Sequence, residues 1–326
     1  MSHHTPPFTI TPRIVNLITE IAVLAERFAV FISQPDSLLL RRANKIKSIR
    51  SSLAIEGNTL SEEQVADILN GKPVVAPPRQ IQEVKNAIAA YDLWPKLNPF
   101  SLDDLLKTHG IMMQALIDSP GQFRRSGVAV MSGSAVIHMA PPAARVPKLM
   151  GDLFTWLDNA DDHLLIKSCV FHYEFEFIHP FTDGNGRMGR LWQSRILGKW
   201  HSAFQFLPVE NMVHASQQKY YEAINESNAQ GASTPFITFM LGEIFNTLQS
   251  RTSGGVSGGA SGGLNRLLEY IRLNPGLRSN TLASALHLPQ RTLDRHLMNL
   301  RKRNLIQFKG ASKTGGYYVV QPVEPA

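Results

Sequence analysis

The sequence predicts a mainly α-helical protein in two parts: a larger helical body with one β-hairpin, then a small basic unit of helices and a β-ribbon. Three observations carry this. Apolar residues recur at three- and four-residue spacing through most of the first 250 positions, the period of helices with one buried face. At residues 128–138 the pattern changes, with β-prone residues flanking Ser132-Gly133-Ser134, as in a hairpin. From Ser253 to Gly263 the chain is almost entirely Gly and Ser. Such a run has little to bury and much backbone entropy to lose, so it reads as a flexible linker.

In chain order, residues 14–31 form the first amphipathic stretch. Ser61 and Gln64 have the spacing of a capping box, opening a short helix that Gly71 can end. Ser101 can cap another, with Asp103 and Asp104 in the first turn, where the helix dipole favours negative charge. Pro147 suits the first turn of a helix reaching Trp156. Further helices are expected at 163–177, 185–200, 215–228 and 235–248. Beyond the linker, helical stretches at 264–273, 279–286 and 290–303 precede β-prone ones at 305–309 and 317–320, the order of a winged helix-turn-helix. The expected divisions are an N-terminal helical region 1–98, a core 99–250, a linker 251–263 and the winged helix-turn-helix 264–326.

Composition narrows the class. Hydrophobic residues make up 43% of the chain and charged residues 18%, as in folded water-soluble proteins rather than disordered ones. Apolar runs are short, so no membrane span is expected, and the first residues lack the basic-then-apolar order of a signal peptide. A single cysteine, Cys169, excludes an internal disulfide and fits a reducing cytoplasm. It lies in an apolar run and reads as an inert buried thiol. The net charge of +7 is wholly local: residues 264–326 hold ten Lys/Arg against three Asp/Glu, leaving 23 of each sign before them. That asymmetry implies two parts with different partners.

Chemistry concentrates in His179-Pro180-Phe181-Thr182-Asp183-Gly184-Asn185-Gly186-Arg187-Met188-Gly189-Arg190. An apolar helix should end just before it and a new one begin within it. The Gly184-Asn185-Gly186 segment then lies at a helix N-terminus, where unpaired N–H groups and the dipole attract anions. Arg187 and Arg190 are three apart on one face and can reach a polyphosphate. Asp183 offers a hard oxygen for Mg²⁺. His179 can accept a proton from an incoming hydroxyl near neutral pH. Singly, each feature is commonplace in structural roles. Together they are the parts that phosphoryl or nucleotidyl transfer requires.

The window resembles the motif of the Fic (filamentation induced by cAMP) family, H-P-F-x-[D/E]-G-N-G-R-x-x-R, and matches every specified position; the likeness extends over residues 49–248. The resemblance implies a helical Fic catalytic core at 99–250. It makes His179 the base, Asp183 the Mg²⁺ ligand, Asn185 and its neighbouring backbone the α-phosphate site, and Arg187 and Arg190 the outer-phosphate site. The implied reaction moves AMP from ATP to a Ser, Thr or Tyr hydroxyl of a target protein. Relatives with an altered Gly-Asn-Gly segment can act as kinases; here Gly184 and Gly186 are both intact. Phosphocholine transfer, known in a few relatives, stays open.

Upstream, Ser52-Leu53-Ala54-Ile55-Glu56-Gly57 is similar to the family's inhibitory motif, [S/T]-x-x-x-E-[G/N]. The resemblance has Glu56 pair with Arg190 and occupy the γ-phosphate space, as a carboxylate competing with a phosphate for the same donors. The hairpin at 128–138 corresponds to the family's flap, whose edge could hold a target segment by β-augmentation. Tyr221 and Asn225, four apart on a helix, are candidates for an adenine pocket, with core packing as the other reading of Tyr221.

In the basic tail, Leu293, Leu297 and Leu300 form a buried stripe, while Gln290, Arg291, Thr292 and Arg295 occupy the front of a would-be recognition helix. Lys309 and Lys313 could reach phosphates from the wing. DNA binding and protein docking both fit this part. Three functions remain in play: a cytoplasmic, self-inhibited AMP-transferase; an enzyme removing AMP from a modified protein, with Glu56 placing a water; and a DNA-binding regulator with a nucleotide-sensing core. A homo-oligomer regulating Glu56 is a further possibility.

Overall fold

The structure, a computed structural model, describes residues 5–32, 37–132, 135–207, 209–256, 267–268, 270–272, 274–286, 288–311 and 315–320. The chain divides into two compact units, Met1–Gln249 and Ser250–Ala326.

In the first unit, α1 (Pro12–Ile32) turns Ile14, Ile21, Ala25 and Phe28 inward. Next come α2 (Ser37–Ile55), α3 (Glu62–Leu69), α4 (Pro78–Asp92) and α5 (Leu102–Met112). The capping box at α3 forms in full, with Gln64 N–H donating to Ser61 Oγ and Ser61 N–H to Gln64 Oε1. Gly71, at φ +72°, closes that helix as Lys72 N–H reaches back to the Asp67 carbonyl (2.9 Å). Ser101 caps α5 through Asp104 N–H (3.2 Å).

The hairpin follows as strands β1 (Ala129–Ser132) and β2 (Ala135–Met139), paired antiparallel with an irregularity between Val130 and Met131. Then come α6 (Val146–Asn159), α7 (Leu164–Ile178), α8 (Asn185–Trp200), α9 (Val209–Ala215), α10 (Gln217–Gln230) and α11 (Thr234–Val256). Helix α7 is buried along most of its length, polar Lys167, Ser168 and His172 included, as a central helix must be. It packs chiefly against α8. Phe154, Phe171, Phe175 and Trp192 meet edge-on or stacked around this pair. Helix α11 continues to Val256, so the Gly/Ser run begins as helix; residues 257–263 of the expected linker lie outside the described residues.

The second unit contains α12 (Ser279–Ala285) and α13 (Gln290–Lys302), then the antiparallel pair β3 (Ile306–Lys309) and β4 (Gly316–Val319). Residues 267–268 and 270–272 are also helical. Leu293, Leu297 and Leu300 are buried as expected, in a small core with Leu267, Ile271, Leu282 and Ile306. Among the described residues, no helix is long and apolar enough to cross a membrane.

Candidate active site

The loop between α7 and α8 is fixed from within and from two sides. His179 caps α7 in the left-handed region (φ 49°, ψ 62°), an unusual conformation for a residue with a side chain. It sends the chain sharply away from the helix axis. The Asn185 side chain then closes the loop on itself: its Oδ1 accepts from Phe181 N–H and its Nδ2 donates to the Phe181 carbonyl, both at 2.9 Å. Asn185 is thereby committed to shaping the loop, and any contribution to a phosphate comes through the backbone it holds in place. Phe181 is fully buried and stacked on His109, with ring centroids 3.5 Å apart.

His109, which no sequence motif singled out, supports the loop from α5. Gly121 N–H donates to its Nδ1 (2.8 Å), so Nε2 carries the proton and donates to the Asp183 carbonyl (3.0 Å). Burial pushes its pKa down to about 4, so the ring is neutral at physiological pH. Gly184, at φ +85°, must be glycine on two counts, because an added Cβ would also lie 2.7 Å from Met113 Sδ.

The N–H groups of Asn185, Gly186 and Arg187 precede the first bond within α8, made by Met188 N–H to the Gly184 carbonyl (3.0 Å). A helix start of this kind generally attracts anions. Asp183 stands at its lip with its side chain 39% exposed. Its Oδ1 accepts from Gly184 N–H (2.6 Å) and Arg187 Nη2 (3.0 Å), and its Oδ2 lies 3.5 Å from Arg79 Nη2. Arg79, on α4, is a cation at this site that no motif contains.

The two arginines of the loop serve different partners. Arg187 pairs with Asp183, whereas Arg190, 1% exposed, faces the end of α2. Its Nη2 donates to Glu56 Oε1 (2.7 Å) and to the Ser52 carbonyl (3.1 Å), and Ser52 Oγ lies 3.4 Å away. Burial works against the Arg190 charge and is the largest single influence on it, but Glu56, Tyr220 and Glu176 together outweigh it and hold the guanidinium above its ordinary pKa. Glu56 comes this close because Gly186 has no side chain: a Cβ there would lie 2.6 Å from Glu56 Oε1 and 2.8 Å from Arg190 Nη1. The structure thus joins Ser52, Glu56, Gly186 and Arg190, although Glu56 and Arg190 stand 134 positions apart in the sequence.

On the other side of the loop, His179 Nδ1 faces the Glu176 carbonyl (3.3 Å), which places the proton on Nδ1 and the lone pair on Nε2. Burial pushes the Glu176 carboxyl up to about 7, Arg190 opposing and Glu56 adding to the shift. Tyr221 is half-buried with its ring against Tyr220, and Asn225, one turn on, is exposed. The more deeply placed residue is Tyr220, whose hydroxyl lies 3.1 Å from His172 Nε2.

Fold and loop together define a helical protein built around a glycine-rich turn between two buried helices, with a histidine at one end and a paired arginine at the other. A model of the Fic/DOC family matches residues 99–197. A Fic family protein of Desulfovibrio desulfuricans G20, solved by crystallography, is 41% identical, with 99% of this chain and 100% of that one covered at a TM-score of 0.74. The chain belongs to the Fic family. Fic-1 (aa134–508) from C. elegans shares the fold at 22% identity and a TM-score of 0.60, over 75% of this chain and 74% of its own. Among curated relatives, "Protein adenylyltransferase Fic" of Nematostella vectensis is 30% identical over 231 residues, 66% of this chain. The chain spans about half the length of that relative (51%) and 42% of its namesake in Aedes aegypti.

Proposed function

We propose that the protein is a protein adenylyltransferase, transferring AMP from ATP to a Ser, Thr or Tyr hydroxyl of a target protein and restrained by its own Glu56. One observation carries the reading: a single short loop sets His179, Asp183 and the unpaired N–H groups of α8 side by side, with Arg190 already paired to Glu56. The names of the curated relatives point the same way.

The residues perform the reaction in a definite order. The target hydroxyl gives its proton to His179 Nε2, while Nδ1–H stays on the Glu176 carbonyl. Its oxygen attacks the α-phosphorus of ATP, the bond from that phosphorus to the bridging oxygen breaks, and pyrophosphate leaves. The N–H groups of residues 185–187 face the charge that builds on the phosphate oxygens. Asp183 suits Mg²⁺, which characteristically takes one or two carboxylates together with phosphate oxygens rather than a full protein cage. Bound there, the ion would supply positive charge against the phosphates. Glu56 restrains the enzyme because its carboxylate occupies Arg190, the donor an outer phosphate would use.

Transfer of α-labelled ATP tests the proposal. Glu56→Gly removes a charge-assisted bond worth about 1.5–3 kcal/mol, so labelling of the chain and of added lysate proteins should rise on the order of 10- to 100-fold. Adding His179→Ala should remove about 10²–10⁴ of that rate. A folded Glu56→Gly chain that labels no faster than wild type would refute the restraint.

A second reading draws on Glu56 being 34% exposed, within reach of water at the mouth of the site. If that carboxylate places a water for removal of AMP, Glu56→Gly lowers the release of AMP from a modified protein. The second unit, read as a winged helix-turn-helix, exposes Gln290, Arg291, Arg295, Arg301 and Lys302 on α13 and Lys309 on β3; Lys313 lies outside the described residues. Its proposed partner is duplex DNA, and the expected signature is affinity that falls steeply with salt.

A further inference from the structure

A helix that stops inside a protein leaves its last carbonyls without partners. At the end of α7 those of Ile178, His179 and Pro180 are all taken by one residue, Arg124. Its backbone N–H donates to the Pro180 carbonyl (2.9 Å), its Nε to that of His179 (2.7 Å) and its Nη2 to that of Ile178 (3.2 Å). The same guanidinium reaches the hairpin: Nη1 donates to the Ser126 carbonyl (2.8 Å) and Nη2 to that of Pro141 (2.6 Å). Ser126 precedes β1 and Pro141 follows β2, so both legs of the hairpin are held. Ala140 N–H closes the base between them on the Val128 carbonyl (3.3 Å).

Arg124 is 3% exposed, and every partner of its guanidinium among the described residues is a backbone carbonyl. A buried cation without a carboxylate is costly unless dipoles replace its water. Here the negative end of α7 and two hairpin carbonyls do so. The planar fork matters: four directed N–H bonds go to four carbonyls on three chain segments. A lysine ammonium, with three donors at a single point, cannot reproduce that set.

We propose that Arg124 is a positioning residue that joins the base of the hairpin to the main chain of His179, so that the proton acceptor and the edge expected to present the target hydroxyl move as one body. The inference rests on the transferase reading and adds what fixes its geometry. Misplacement of reacting groups by about an ångström can cost on the order of 100-fold in rate. Nucleotide binding, set at the start of α8, should be spared.

Arg124→Lys and Arg124→Gln, placed in the Glu56→Gly chain, test this. The rate of self-labelling at saturating ATP should fall at least about tenfold in both while the KM for ATP changes less than about twofold. Arg125→Gln, at the exposed neighbouring residue, is the charge-matched control and should leave the rate unchanged. A rate that holds in Arg124→Lys, or a KM that rises by the same factor as the rate falls, would overturn the proposal. Hydrogen exchange on the same variants reads the joint without any activity. Peptides covering 126–141 and 179–184 should both lose protection in Arg124→Lys, with α1 and α11 unchanged. Faster exchange in the hairpin alone, or throughout the chain, would count against it. Should Glu56→Gly not label at all, the transferase reading fails, and exchange still decides the role of Arg124.

Discussion

Two segments meet at the site and are held very differently. The loop from His179 to Arg190 is pinned by the Asn185 amide on Phe181, by His109 on the Asp183 carbonyl and by Arg124 on three successive carbonyls. Ser52 to Glu56, by contrast, reaches Arg190 from the last turn of one helix, with a half-exposed carboxylate making the shortest bond. Groups that must meet a reacting phosphate gain from being fixed beforehand. The second segment, if it is the restraint proposed above, must yield, and it is held by few bonds, one of them open to solvent. The difference teaches that loosening the first segment should disable the protein, whereas loosening the second should release it.

The largest effect should come from the rigid side. Asn185→Ala leaves the Phe181 N–H and carbonyl buried without partners, at about 1–3 kcal/mol each. Urea unfolding of the chain should show a loss of about 2–6 kcal/mol, and ATP binding should weaken with it. A loss below about 0.5 kcal/mol would mean that the loop holds without its internal clasp.

Next is the pH dependence of the His109 support. Burial holds its pKa near 4, against 6.5 for an ordinary imidazole, so between these values the unfolded chain binds a proton that the folded chain refuses. The stability this neutral ring contributes is complete above about pH 6.5 and is lost as pH falls towards 4, up to about 3 kcal/mol. Glu176, raised to about 7, acts in the opposite sense between about pH 4.5 and 7, so wild type alone would blur the signal. The comparison with His109→Asn isolates it: the stability gap between the two should widen as pH rises from about 4 to 6.5. Parallel curves would show that His109 titrates alike in both states.

The smallest effect belongs to the proposed restraint. The Ser52 hydroxyl lies 3.4 Å from two Arg190 nitrogens, at the limit of a hydrogen bond, and the closer approach uses the Ser52 carbonyl, which any residue retains. Ser52→Ala should therefore raise labelling by less than about threefold. A rise matching that of Glu56→Gly would make the serine an equal part of the restraint.

The site was legible where its residues are consecutive, because twelve adjacent positions carry the histidine, the acid, the glycines and both arginines. Glu56 was legible as a spacing relative to Ser52. His109 and Arg124 were not, since their partners are backbone carbonyls 74 and 55 positions away, which carry no residue-type signal. Among the elements, α3, α5, α7 and α8 follow their caps and apolar runs. Helices α2 and α4 escape the sequence pattern for a physical reason: their buried faces are partly polar. Asn44, Ser48, Ser51 and Ser52 on α2, and Asn86 on α4, interrupt the apolar period. Asn44 donates to the Phe206 carbonyl (3.1 Å) and Asn86 to those of Met112 (3.2 Å) and Gln114 (2.7 Å), which makes that burial tolerable.

Cys169 sits at the centre of α7, fully buried, with burial pushing its thiol up to about 12. For thiol-directed reagents the folded chain is therefore chemically blank. A cysteine placed at exposed Val75, or beside Glu56, would be the sole reactive handle on an otherwise native molecule. A fluorophore or spin label attached beside Glu56 would report on any opening of its pairing with Arg190, with no background to subtract.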